Sequence, residues 1–250
     1  MNFWPIFKKE VRSYFMSAST HVVLTIFLVL SGFFFYTNMA WFEKTNVTGS
    51  ASIVSGLWLY YFNDLRFLLI FVLPLLTMRL LAEEKKLGTI ELITTYPVRD
   101  TEILAGKYLA CMTVFLVMLA GTFVNVVLVG LIWDFSEIAP IMTGYLGIFL
   151  LGCALIACGV FVSSLTDNQI VAATGTMGLF ILFWFLTWNE AMGSDELIRV
   201  LIRLSLFDRV FDFLEGKINS KDIVFFILFT GFFLFLTLRS LGSRAWKGLK

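Results

Sequence analysis

Long apolar runs separated by short polar segments dominate the sequence. Six runs are long enough, or nearly so, to cross about 30 Å of hydrocarbon as helices of roughly 20 residues. They cover approximately residues 22–41, 57–81, 108–133, 139–162, 170–188 and 223–238. The runs lack the alternation of membrane-barrel strands, and a helix satisfies its own backbone hydrogen bonds in lipid. The pattern predicts an all-α integral membrane protein, with six transmembrane helices in a single domain over residues 1–250.

The composition is typical of an integral membrane protein. Hydrophobic residues make up 59% of the sequence and charged residues 15%, against about 25% charged residues in a soluble domain. The mean hydropathy is +0.87. Because the formal net charge is only +1, the chain lacks the excess of basic residues that nucleic-acid binding requires. We therefore expect the bilayer as its environment and no nucleic-acid partner.

The basic residues predict an orientation. Six spans place both termini on the same side of the membrane. If that side is the cytoplasm, twelve of the 19 Lys and Arg residues are cytoplasmic, and the short external loop 134–140 has none. Short loops carry most of the orientation signal, with Lys and Arg favouring the inside. We expect a multi-pass protein with both termini in the cytoplasm.

Two amphipathic segments accompany the spans. In residues 1–20, Trp and Phe recur on one helical face and Lys and Arg on the other, which predicts an N-terminal interfacial helix. In residues 189–221, apolar side chains recur at three- and four-residue steps with charges between them. This spacing predicts one or two external amphipathic helices, lying on or dipping into the outer leaflet. Ser205 would cap a helix there and Gly216 would end it.

The most informative segment lies between the second and third apolar runs, at residues 78–107. Residues 83–86 are all charged and continue a helix out of the second run, and Gly88 permits a bend. Pro97 stops the helix, because the residue before a proline is disfavoured in the α conformation. We therefore predict a cytoplasmic helix within residues 82–97 that meets a partner. The plainer alternative is a simple connector between two spans.

A few polar side chains interrupt the apolar runs. Asn63, Asp64 and Arg66 lie at the outer end of the second run. They are either interfacial or line an outward-facing vestibule. Asn125 is the one amide well inside a run, and it either bonds across a helix interface or lines a pathway.

The turn between the fourth and fifth runs, SLTDNQ, faces the cytoplasm in this topology. Asp167 or Thr166 can accept hydrogen bonds from the N–H groups exposed at the start of the fifth helix. The turn is therefore either purely structural or, through Asp167 and Asn168, a second contact for a cytoplasmic partner.

Motifs for catalysis or cofactor binding are missing from the sequence. There is no G-x-x-x-x-G-K-[ST] motif of the kind that cradles phosphates. The single histidine has no cysteine near it, and the three cysteines lie inside apolar runs, where small packing residues are expected. We therefore expect no enzymatic activity, no metal site and no cofactor in this chain.

The segment TMRLLAEEKKLGTIELITTYPVRDTEILAGKYLA resembles the cytoplasmic loop of type-2 ABC exporter permeases. In that family the loop is the coupling helix, which docks in a groove of a separate ATPase. Two further stretches, SSLTDNQIVA and the tail from INSKDIVFF to TLRSLGSRAWK, are similar to the gliding-motility-associated (Gld) branch. The resemblance implies that the ATPase-coupling residues here are Glu83, Glu84, Gly88, Thr89, Glu91, Leu92 and Pro97.

The resemblance also implies a function and partners. The chain would be the transmembrane permease subunit of an ATP-driven exporter-type complex in the bacterial inner membrane. It would form a homodimer and bind a cytoplasmic ABC ATPase, which holds the ATP and Mg. Two alternatives stay open. One is a structural or force-transmitting subunit of a motility or secretion apparatus, contacting a periplasmic partner through residues 189–221. The other is a permease for periplasmic metal-site maturation.

Overall fold

The computed structural model describes residues 3–45, 54–88, 99–132, 138–187 and 205–245. These residues form helices and no strand, so the all-α prediction is confirmed for them. A π-helical turn, Val54–Trp58, leads into the third helix. In chain order the helices are α1 (Phe3–Met16), α2 (Ala18–Thr45), α3 (Leu59–Thr77), α4 (Arg79–Lys86), α5 (Asp100–Ile132), α6 (Ile138–Leu165), α7 (Gln169–Thr187), α8 (Leu206–Leu214) and α9 (Ser220–Ala245).

Five helical segments in the described part of the chain are long and apolar enough to cross a membrane. They are Ala18–Lys44, Gly56–Lys86, Asp100–Leu131, Ile138–Leu165 and Ser220–Gly242. These segments overlap the first four predicted runs and the last. The fifth run forms α7, whose apolar stretch Gln169–Phe185 is shorter than the others. The chain is thus a multi-pass membrane protein, and its sixth span stays a prediction.

Helix α6 lies at the centre of the bundle and packs against α3, α5, α7, α8 and α9. Its span is 72% buried, whereas the span formed by α9 is only 17% buried. Glycines on α6 permit this close packing. A Cβ added at Gly152 would lie 2.0 Å from the Phe115 ring, and one at Gly159 would lie 2.3 Å from the Thr77 hydroxyl. The absence of side chains at these positions lets the neighbouring helices approach.

The second span bends where α3 gives way to α4. Pro74 lies inside α3 and has no N–H to continue the helical ladder. Just beyond it, the Ser163 hydroxyl of α6 accepts hydrogen bonds from the N–H groups of Leu81 (3.2 Å) and Ala82 (3.1 Å). The same hydroxyl donates to the Met78 carbonyl at 3.0 Å. One side chain therefore satisfies three backbone groups at the bend and fixes the start of α4 to α6.

Helix α8 closes the other end of the bundle. Its N-terminus is capped by Ser205, whose hydroxyl accepts from the N–H of Asp208 at 3.4 Å. The chain leaves α8 through Gly216, which has φ +85°, so the cap and stop predicted from the sequence are confirmed. The apolar face of α8 is covered by α3, α6 and α7. The side chains buried there are Leu206, Phe207, Val210, Phe213 and Leu214.

Candidate functional site

A buried lysine joins three helices at the end of the bundle that carries α1 and α4. Lys107 lies two turns into α5 and is 2% exposed. Its Nζ is 2.7 Å from Oε1 of Glu84 on α4 and 3.1 Å from Oε1 of Glu10 on α1. Lysines are almost never fully buried without a paired charge. We call this arrangement the Lys107 clamp: one ammonium held by two carboxylates from different helices.

Local sequence explains why α1 comes close enough to reach this lysine. Gly106 precedes Lys107, and a Cβ there would lie 2.9 Å from Cγ2 of Ile6. The backbone of α1 therefore approaches α5 at a point where α5 has no side chain. Glu10 follows Ile6 by four residues, on the same face of α1. The glycine thus brings the Glu10 carboxylate within reach of the ammonium.

A second set of contacts ties α1 to the bend of the second span. Tyr14 is buried and donates its hydroxyl to the Leu76 carbonyl at 2.9 Å. Burial raises the pKa of the Tyr14 phenol well above its usual value, so the phenol remains a proton donor. The Arg79 guanidinium lies 5.6 Å from the centre of the Tyr14 ring. It also donates to Oγ of Ser17 at 2.7 Å.

A cleft of about 340 Å³ lies among these groups. Its charged lining comprises three cations (Lys9, Arg79 and Lys107) and three carboxylates (Glu10, Glu83 and Glu84). The formal charges therefore cancel. Phosphate sites combine backbone N–H donors with an excess of positive charge, so this balance suits a structural ion-pair network better than an anion site.

The turn between α6 and α7 lies at the same end of the bundle. The Lys85 ammonium donates to the Ser164 carbonyl in the last turn of α6, which links α4 to this turn. Asp167 and Asn168 are both exposed. The cap predicted from the sequence is wrong, because α7 begins at Gln169 and the residue before it is Asn168. Its Oδ1 accepts from the N–H of Ile170 at 2.9 Å.

The predicted coupling residues are only partly within the described chain. Glu83 and Glu84 lie on α4, and Gly88 follows it with φ +67°. This left-handed conformation favours glycine and gives the bend predicted there. Thr89, Glu91, Leu92 and Pro97 lie outside the described residues. The structure therefore describes residues 82–88 of the predicted segment, and the coupling helix itself stays a prediction.

The predicted vestibule residues divide between two sides of α3. Arg66 is 5% exposed. It donates through Nη2 to Oδ1 of Asn63, and through Nη1 to the Phe207 carbonyl of α8 at 2.5 Å. Asp64 points elsewhere and accepts from Nδ2 of Asn38 on α2 at 2.6 Å. The structure thus brings Asn63 and Arg66 together and separates them from Asp64.

Asn125 makes a hydrogen bond between helices. Its Nδ2 donates to the Tyr61 hydroxyl at 2.9 Å, and that hydroxyl is also 2.7 Å from Oγ of Ser31. Three helices, α2, α3 and α5, meet in this buried polar contact. In the part of the chain that the structure describes, no group of three or more His, Cys, Asp or Glu could hold a metal ion.

Sequence reasoning missed the Lys107 clamp. It counted Lys107 among the cytoplasmic basic residues, placed Glu10 on the polar face of the N-terminal helix, and assigned neither of them a role in a contact between helices. A lysine directly before a long apolar run was the available signal, but its two partners lie 97 and 23 residues away. Only the fold brings the three side chains together.

Comparison with known proteins adds one finding. A family model described as ABC-2 family transporter protein matches residues 4–199. This range holds most of the chain, including the Lys107 clamp, the bend of the second span and Arg66. No curated protein matches the chain.

Proposed function

The chain belongs to the ABC-2 transporter family, and from this premise we propose that it couples ATP hydrolysis to substrate movement across the bacterial inner membrane. Membership makes it the membrane component of an ABC transporter, with the ATPase as a separate partner. The ATP and Mg then belong to that partner subunit. Coupling would begin at the cytoplasmic helix predicted within residues 82–97.

The Lys107 clamp is the observation that carries this proposal. A coupling element must pass a displacement on to the spans, which requires rigid attachment at its base. Glu84 lies near the end of α4, and Lys107 lies near the start of α5. Their 2.7 Å ion pair closes the base of the intervening segment. Glu10 adds α1 to the same junction, so a force on the segment reaches three helices at once.

The bend at Met78 supports the same role. Ser163 holds the first turn of α4 against α6, and Lys85 holds its last turn against the same helix. Helix α4 therefore moves with the central helix of the bundle. Displacement by an ATPase would tilt the spans as connected bodies, which is how packed helices commonly change state.

Finer features of the proposal rest on the sequence. We propose a homodimer, each copy bound to one ATPase, with Asp167 and Asn168 as a second ATPase contact. The resemblance to gliding-motility-associated permeases suggests a periplasmic partner for residues 189–221. Asn63, Asp64, Arg66 and Asn125 are then the polar residues closest to a transport pathway.

The test is ATP hydrolysis by the assembled complex. The chain and the ATPase encoded beside it are co-expressed, purified and placed in lipid nanodiscs. We expect the hydrolysis rate per ATPase to differ several-fold between the complex and the free ATPase. A stable complex with an unchanged rate would contradict coupling and favour a purely structural role for the chain.

A further inference from the structure

Helix α8 closes the bundle at the end opposite α1 and α4. Its five buried side chains fill the space between α3, α6 and α7. The approach to α6 is close, since a Cβ at Gly147 would lie 2.6 Å from Cβ of Phe213. Thr143 of α6 also donates to the Phe213 carbonyl at 3.0 Å. A path between α3, α6 and α7 at this end therefore requires α8 to move.

A buried guanidinium ties α8 to the second span. Arg66 lies ten residues beyond Gly56, the start of that span, or about 15 Å along the helix axis. An arginine buried within a membrane-crossing helix is costly and marks function more often than packing. Its Nη1 donates to the Phe207 carbonyl of α8. Its guanidinium carbon lies 5.1 Å from the ring centre of Trp184 on α7.

The acceptors of Arg66 are neutral although a carboxylate lies next to them. Asp208 follows Phe207, yet the structure shows no ion pair between Asp208 and Arg66. Within the described residues, Oδ2 of Asp208 and Nε of Arg66 are both buried and lack a hydrogen-bond partner. The Asp208 carboxylate is near enough to act on the charge of Arg66. An arginine with an unused N–H group and a carboxylate with an unused oxygen therefore have a second arrangement available. A displacement of α8 that brings the two groups together would form that ion pair.

We propose that Arg66 is a positioning residue that latches α8 shut, and that α8 opens as Arg66 passes from the Phe207 carbonyl to the Asp208 carboxylate. The opening step rests on the function proposed above. Arg66 and Glu84 lie on one helical segment, Gly56–Lys86, and are separated by 18 residues, or about 27 Å along the axis. A displacement of α4 therefore reaches the latch without passing through a loop.

The latch is tested by the accessibility of a cysteine on the buried face of α8. Val210 is fully buried, and Val210→Cys changes its volume little. The protein is placed in lipid nanodiscs, and the rate of modification by a water-soluble maleimide is measured. The chain without this substitution, with its three buried native cysteines, sets the background.

Removing the latch should expose this cysteine. Because Arg66→Gln removes a buried charged donor, we expect modification to become faster by about tenfold or more. Arg66→Lys should restore most of the protection, because a lysine keeps the charge. Asn63→Ala removes one hydrogen-bond acceptor of the guanidinium and should increase the modification rate by less. It tests the latch if Arg66→Gln does not fold. Lys217→Gln is the matched control, because Lys217 pairs with Glu215 at the surface. Unchanged rates in both Arg66→Gln and Asn63→Ala would overturn the latch.

The opening step has its own test in the complex with the ATPase. We expect ATP to accelerate modification of Val210→Cys, and we expect Asp208→Asn to abolish that acceleration while leaving the resting rate within about twofold. An acceleration that survives Asp208→Asn would overturn the transfer step. If no ATPase binds, the proposed function fails, while the resting rates still decide whether Arg66 holds α8.

Discussion

We predict that substitution of Lys107 lowers the stability of the protein by an amount that depends on the burial of the clamp and not on its charge alone. Lys107→Met removes the ammonium and leaves the carboxylates of Glu10 and Glu84 facing each other. Both side chains are largely buried, with 12% and 14% exposed. Breaking a buried ion pair by removing one partner costs about 3–5 kcal/mol. Because the two acids keep some solvent contact, we expect about 3 kcal/mol of lost stability.

Lys9 provides a matched control on the same carboxylate. Its Nζ lies 3.8 Å from Oε1 of Glu10, but its side chain is 68% exposed. Exposed ion pairs contribute less than about 1 kcal/mol. Thermal unfolding of the purified protein in detergent, followed by tryptophan fluorescence, should therefore show a lowered midpoint for Lys107→Met and little change for Lys9→Met.

A triple substitution separates stability from coupling. Glu10→Gln, Glu84→Gln and Lys107→Met together leave no charge in the buried clamp, and Lys9, which then loses Glu10, is exposed. Replacing a whole buried network by neutral groups is often tolerated. We expect the unfolding midpoint of the triple variant to return most of the way to the wild-type value. We also expect the triple variant to lose the effect that the wild type has on the hydrolysis rate of a bound ATPase. Equal midpoints for Lys107→Met and Lys9→Met would refute the account of the clamp.

Three further substitutions and one control test individual contacts by the same unfolding measurement. Gly106→Val places a side chain where Ile6 of α1 packs, and overpacking of this kind costs about 1–3 kcal/mol. Ser163→Ala removes the hydroxyl that satisfies three backbone groups at the bend, with a loss of about 1–3 kcal/mol. Asn168→Ala removes the cap of α7 and should cost about 1 kcal/mol, while Asp167→Ala should cost much less. A midpoint unaffected by Ser163→Ala, or lowered equally by the last two variants, would contradict the described geometry.

The sequence predicted those features of the fold that depend on neighbouring residues. Apolar length placed the long helices, the spacing of aromatic and basic residues placed α1, and Gly88 and Gly216 marked turns because both need positive φ. The cap of α7 was assigned to the wrong residue of its turn. Side chains that can cap stand at three consecutive positions there, and the sequence does not say at which residue the helix begins.

Long-range contacts could not be predicted from the same patterns. Arg66 and Phe207 are 141 residues apart, and a backbone carbonyl as acceptor leaves no trace in the sequence. The amphipathic pattern of residues 189–221 was compatible with a helix on the lipid surface. In the described part of this segment, the apolar face of α8 packs against other helices of the bundle. A helix on a lipid surface and a helix packed on a bundle need the same spacing of apolar side chains, so the pattern could not distinguish them.

We propose that the segment between α4 and α5 binds an ATPase. The most direct measurement is co-purification of the tagged chain with the ATPase encoded beside it, comparing the wild type with Glu91→Arg. The matched control is Glu215→Arg, the same change of charge at the exposed end of α8. We predict that the wild type and Glu215→Arg retain the ATPase, and that Glu91→Arg loses it while its unfolding midpoint is unchanged. Retention of the ATPase by Glu91→Arg, or no ATPase with the wild type, would contradict the claim.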